Sequence, residues 1–165
     1  MKRFLTSKAL IGLGLVLAIL CVAIFSPLFI PEASATKMNM GARLKGPALE
    51  HLLGTDQLGR DLLLRVMLGA RTSLTIAGLA VGLSTVIGLP LGIISGYYRG
   101  HVDNLLMRLV DTLLSFPALL LALTISAMLG PNLQNTIIAI GIAFTPFLAR
   151  IVRGEALRVV QMPYV

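Results

Sequence analysis

DTLLSFPALLLALTISAMLGPNLQNTIIAIGIAFTPFLAR, residues 111–150, opens on an acid, closes on a base and holds no Asp, Glu, Lys or Arg between them. Its uncharged interior of roughly 38 residues would make a helix of about 57 Å, whereas roughly 20 apolar residues cross a hydrocarbon core of about 30 Å. Gly130-Pro131-Asn132 interrupts the run with a strong turn signal, so the stretch reads as two membrane helices.

Two more uncharged runs lie upstream, between Lys8 and Glu32 and between Arg71 and Arg99, and each is long enough to span. The expected fold is therefore all-α and polytopic, with about four transmembrane helices. Composition agrees: 56% of the 165 residues are hydrophobic, 13% are charged and tryptophan is absent, too oily a balance for an ordinary soluble domain. The formal net charge of +7 could suit nucleic acid. However, many of the bases flank apolar runs, where Lys and Arg act as topological signals, so no nucleic-acid partner is expected and membrane lipid is.

The N-terminus imitates a cleavable signal, with Lys2 and Arg3 before an apolar run and Ala33-Ser34-Ala35 after it. The run from Ala9 to Pro31 is longer than a signal core, which favours a retained first span. Cys21 lies inside it with no second cysteine to pair with, and Leu20 before it is too large for a lipoprotein site. With the N-terminus in the cytoplasm, alternation places eight bases inside and six outside. The six are spread along one loop that also carries Glu32, Glu50, Asp56 and Asp61. The organisation expected is 1–31 for tail and first span, 32–71 for an external loop, and 72–165 for the second to fourth spans.

In that loop, Thr55 or Asp56 can cap a helix. Asp56 with Arg60, and Asp61 with Arg65, stand four apart with acid before base, while Leu58, Leu62 and Val66 share another face. A short amphipathic external helix is the expectation, leading into a span at about 73–97. That span carries Gly78 and Gly82 four apart, and Gly88, Gly92 and Gly96 on one face, so another helix backbone can approach closely. Pro90 should kink it. Packing and pathway lining both remain open for this face. Asp103, Met107 and Asp111 stack at four-residue spacing, and Arg108 can reach Asp111. Pro117 and Pro146 put prolines in the third span and in a last span running from about Thr136 to Ile151.

No G-x-x-x-x-G-K-[ST] loop is present in the sequence, so no phosphate cradle of that type is expected to hold ATP. His51 and His101 fall on opposite sides of the expected topology and read as solvated loop residues. No catalytic residue, cofactor or metal site is expected, and no ionisable residue within the expected spans suggests ion coupling.

His51-Leu52-Leu53-Gly54-Thr55-Asp56-Gln57-Leu58-Gly59-Arg60-Asp61, followed by Gly69-Ala70-Arg71-Thr72-Ser73-Leu74, closely resembles the C-type permease subunit of bacterial ABC importers for dipeptides, oligopeptides and nickel. Gly96-Tyr97-Tyr98-Arg99-Gly100, Asp103 with Met107-Arg108 and Asp111, Ser115-Phe116-Pro117, and Ala149-Arg150 with Val152-Arg153-Gly154-Glu155 follow in that family's order. The resemblance implies a subunit of the cytoplasmic membrane that pairs with a second permease, two cytoplasmic ATPase subunits and an external solute-binding protein. It implies that ATP hydrolysis belongs to the partners and that this chain is no enzyme. In such permeases the ATPase is met by a Glu-Ala-Ala helix after the fourth span. This sequence stops at Pro163-Tyr164-Val165, where that motif would begin, and Glu155-Ala156-Leu157 lies too near the membrane to replace it. The expectation is an incomplete permease that inserts but neither recruits an ATPase nor imports solute alone. The alternative from another class is a small structural or assembly membrane protein without a pathway. A pore, an ion-coupled carrier and a membrane enzyme rank below it.

Overall fold

The computed structural model describes residues 7–29 and 31–162. Lys2 and Arg3, used above for orientation, and Pro163-Tyr164-Val165 lie outside the described residues. The described chain is helical, and divides between Thr75 and Ile76 into two compact units.

In the first unit, α1 (Ser7–Phe29) is the first apolar run turned into helix, and Ala9–Ser26 is long and apolar enough to cross a membrane. A five-residue helix, α2 (Glu32–Thr36), and a 3-10 turn at Met40–Ala42 follow. The turn is closed by the Asn39 side chain, which accepts from the Gly41 N–H at 3.2 Å. The helix α3 (Leu62–Tyr98) begins in this unit and runs into the next.

The external helix does not form as a separate element: residues 43–61 fold as a loop, and the helix's later half, from Leu62 through Val66, is instead the first turns of α3, which starts eleven residues before the expected span. The reason lies in how Thr55 and Asp56 use their side chains. The Thr55 hydroxyl donates to the Ala42 carbonyl and accepts from the Lys45 N–H at 2.9 Å, tying two strands of loop together rather than capping a helix. The Asp56 carboxylate folds back on its own segment, accepting from the Leu58 and Arg60 N–H groups at 2.8 and 2.9 Å. Gly54 and Gly59 sit at φ +76° and +71°, where side chains are strained. A Cβ on Gly59 would fall 1.7 Å from the Asn39 carbonyl oxygen, so the loop closes only around a bare backbone there.

The second unit is built on α6 (Leu133–Val159), whose Ala139, Gly141, Ala143, Thr145, Pro146 and Ala149 are buried. Against it pack α4 (Gly100–Leu114) and α5 (Ala118–Leu129). The later part of α3 joins them along its glycines. Cβ atoms on Gly88, Gly92 and Gly96 would come within 3.0, 2.6 and 2.6 Å of Thr145 O, Ala149 O and Ala156 Cβ. Gly78 and Gly82, by contrast, meet nothing within 4 Å.

Among the described residues three helices are long and apolar enough to span, and a fourth span exists only if α4 and α5 count as one. That pair is bent by 85°, so the expected third span is a broken one. The break falls at Ser115-Phe116-Pro117, with Pro117 at the start of α5 rather than as a kink inside a helix. Proline lacks the N–H that a continuing helix needs and pushes the residue before it out of helical geometry. Pro90 and Pro146, in contrast, lie inside α3 and α6. Twelve residues of α5 reach about 18 Å, short of the core, whereas the 27 of α6 reach about 40 Å and overshoot it.

Candidate functional site

The last turns of α6 carry bases, and α4, the most amphipathic helix of the unit, carries acids. The two elements meet there. Asp103 on α4 receives both Nε and Nη2 of Arg153 at 2.5 Å each, a two-pronged contact that holds a planar guanidinium against a planar carboxylate. Ser95, fully buried near the end of α3, donates its hydroxyl to the same carboxylate. Asp103 is 8% exposed, and a charge so far from solvent is tolerable only when paired and hydrogen-bonded, as it is here. One carboxylate thus links α3, α4 and α6. A turn earlier on α6, Arg150 pairs with Asp111 at the surface.

The geometry that lets Asp103 reach back to α3 is set at the junction. Arg99 and Gly100 both adopt positive φ, +49° and +59°, so the chain reverses between α3 and α4 with almost no linker. Arg99 is not a glycine, and its left-handed backbone is a strained choice. The pairing of Arg108 with Asp111 expected from their spacing does not form, because Asp111 faces Arg150 on α6 while Arg108 is exposed. Arg108 instead lines an open groove along α4 with His101, Asn104 and Met107. Between α3 and α6 lies an apolar cleft of about 330 Å³ whose walls include Ala80, Ser84, Ile140 and Phe144.

In the first unit the motif Gly54 to Asp61 makes a second polar cluster. Asp56 binds Arg60 Nε and Arg65 Nη1, both at 2.8 Å. The expected pair of Asp61 with Arg65 is replaced: Arg65 turns to Asp56, and Asp61 holds His51 Nδ1 at 2.8 Å. His51 is therefore half-buried and engaged rather than solvated. The other Asp61 oxygen accepts from the Leu64 N–H at 3.1 Å, so Asp61, not Thr55 or Asp56, caps α3. Arg71 lies further along α3, beside Leu20 and Ala23.

Removal from water raises the Asp56 carboxyl pKa, but the Arg60 and Leu58 N–H groups and the Arg60 guanidinium outweigh it and bring it from 3.8 to about 2. Asp61 is likewise lowered: burial opposes the shift, and the His51 ring and the Leu64 and Leu63 N–H groups drive it. A depressed carboxylate stabilises the fold above its unfolded pKa and loses that contribution as pH falls through its folded pKa. The Leu58 and Arg60 amide resonances should therefore hold still from pH 7 to 4 and move together with a midpoint near pH 2. A midpoint at or above 3.8 would mean the loop gives Asp56 no help.

Sequence reasoning named Asp103 and Asp111 but missed Ser95, Arg150 and Arg153 as their partners, and missed His51 as the partner of Asp61. Fifty residues separate Asp103 from Arg153, so no local spacing rule connects them. A pointer existed in the two bases of Ala149-Arg150 and Val152-Arg153 at the end of an otherwise uncharged helix.

Residues 88–165 match the family described as binding-protein-dependent transport system inner membrane component. The chain is 42% identical over 149 residues to the dipeptide transport system permease protein of Alkalihalophilus pseudofirmus, covering 90% of this chain and 49% of that one. It is 34% identical over 165 residues to the glutathione transport system permease protein of Pectobacterium atrosepticum, covering 99% and 55%. A glutathione transport system permease protein of Escherichia coli is 39% identical over 150 residues, covering 91% and 50%. The chain spans about half the length of the curated relatives it matches.

Proposed function

We propose that the chain is a member of the family that its residues 88–165 match, the binding-protein-dependent transport system inner membrane components, and forms part of the translocation pathway of an ATP-driven importer for peptides. The observation that carries the reading is the likeness to dipeptide and glutathione permeases over nine-tenths or more of the chain. Both relatives are named for small peptides, so a peptide rather than nickel is the solute proposed. The partners are a second permease subunit, two cytoplasmic ATPase subunits and an external solute-binding protein. The cytoplasmic membrane is the site of action, with the N-terminus and the cluster of α4 and α6 on the inner face, as the excess of bases there favours. In that arrangement the overshooting end of α6 stands in the cytoplasm, where a force generated by ATPase subunits would arrive. The pair of Asp103 with Arg153 would then carry movement of α6 to the junction of α3 and α4.

The test is a chimera. The aligned half of the dipeptide permease of Alkalihalophilus pseudofirmus is replaced by this chain, and the chimera is produced with that system's other subunits in cells lacking the native permease. Uptake of a labelled dipeptide that stops on ATP depletion is the expected result. A chimera that reaches the membrane in normal amount, binds its second permease and imports nothing would instead favour a scaffolding protein without a pathway.

A further inference from the structure

The loop that replaced the expected external helix ends in a projecting finger. Ala48 and His51 exchange backbone hydrogen bonds, N–H to carbonyl, at 2.9 and 3.0 Å, which leaves Leu49 and Glu50 as the tip of a tight turn. Leu49 is 97% exposed, and Leu44, Leu52 and Leu53 around it are exposed too. Apolar side chains gathered on one finger mark a contact surface rather than a solvated turn.

Charge and position say what the contact is. Lys37, Arg43 and Lys45 on the same loop are exposed with no ion pair among the described residues, whereas Arg60 and Arg65 are occupied by Asp56. Asp61 is occupied by His51, and within residues 37–53 Glu50 is the one acid set against those three bases. The finger and its surroundings are therefore apolar and net basic.

The loop is also held near the membrane at both ends. Arg71, Leu74 and Thr75 of α3 lie beside Leu20, Ala23 and Ile24 of α1. From Arg71 the start of α3 is about 14 Å along its helix, and from Ala23 the end of α1 is about 9 Å along its own. α1 ends at Phe29 and the uncharged run it carries lasts until Glu32, so the loop starts where the apolar stretch gives out, the level at which headgroups lie.

We infer that residues 37–53 form a lipid-seated finger: Leu49, Leu52 and Leu53 enter the outer surface of the bilayer while Lys37, Arg43 and Lys45 engage anionic phospholipid headgroups. Apolar side chains at the acyl boundary with bases at the phosphate level are the combination that interfacial segments use. The inference rests on membrane insertion with the N-terminus inside, as proposed above, and stands apart from the importer reading.

The experiment uses the full chain in a Cys21→Ser background, with an environment-sensitive fluorophore on Leu49→Cys and, as a control, on Gln57→Cys. Leu49 touches almost nothing, so the label does not threaten the fold. In phosphatidylglycerol vesicles the Leu49 probe should shift to the blue and be quenched by lipids spin-labelled near the headgroup, while the Gln57 probe stays water-like. Lys45→Gln should lower the ratio of inserted to free finger roughly fivefold. A Leu49 probe that stays water-like in vesicles overturns the inference. One that shifts only on addition of the external solute-binding protein overturns it as well and assigns the finger to a protein. Equal burial in phosphatidylcholine and phosphatidylglycerol overturns the role of the bases.

Discussion

Replacing Arg153 by methionine is expected to cost the chain roughly 3 kcal/mol of stability in detergent, because it strands the buried Asp103 carboxylate without its counter-charge. Removing one member of a buried ion pair typically costs about 3–5 kcal/mol, and the lower end applies because the Arg153 side chain remains 31% exposed. Ser95 would remain as a donor, but one hydroxyl does not neutralise a carboxylate. The companion change Asp103→Asn should recover a large part of the loss when combined with Arg153→Met, since no buried charge is then left alone. Denaturant titration of helical content on both single variants and the double variant measures the coupling directly. Strict additivity of the two single effects would show that the pair contributes nothing to joining α4 and α6. Asp111 with Arg150, a surface pair, should give a coupling of less than about 1 kcal/mol in the same experiment.

Glycine substitutions along α3 should change sign from one turn to another. At Gly78 and Gly82 an alanine meets nothing within 4 Å, and it should stabilise the helix by up to about 1 kcal/mol through lost backbone freedom in the unfolded chain. At Gly92 the same methyl would lie 2.6 Å from the Ala149 carbonyl oxygen and 2.7 Å from Val152 Cβ. A backbone carbonyl of α6 cannot step aside as a flexible side chain can, so the two helices must part. Overpacking of this kind costs about 1–3 kcal/mol, and Gly92→Val should exceed Gly92→Ala. Thermal unfolding midpoints for Gly78→Ala and Gly92→Ala, taken in one detergent, decide it: a rise for the first and a fall for the second is the expected pair. Equal shifts at both positions would mean that α3 does not seat on α6 through its glycines.

How much of this was legible in the sequence follows from the range of each rule. The spans were readable because an uncharged run longer than the bilayer is thick is a one-dimensional signal, and α1, α3 and α6 hold the three clearest runs. The break between α4 and α5 was signalled by Pro117 but read as a proline inside one continuous span. Whether proline bends or stops a helix depends on whether neighbours satisfy the freed backbone groups, and that is a tertiary fact. The external helix failed for a related reason. Thr55, Asp56 and Asp61 are all capping residues, and which one caps depends on where Ala42 and Lys45 lie, ten or more residues upstream. Local spacing correctly joined Asp56 to Arg60. It misassigned Asp61 and Asp111, whose partners His51 and Arg150 lie ten and 39 residues away.

The central place of α6 bears on how the chain matures. In lipid there is no hydrophobic force to draw helices together, and close steric fit and interhelical polar contacts do that work instead. The glycine seam of α3, the acids of α4 and the face of α5 are all shaped to meet one helix, which follows all three in the chain. Until the ribosome has delivered Arg153, Asp103 has no counter-ion and the earlier helices wait in the bilayer as loosely associated pieces. Assembly of α3, α4 and α5 should therefore wait for a single locking event at α6, with quality-control proteases finding their best opportunity just before it.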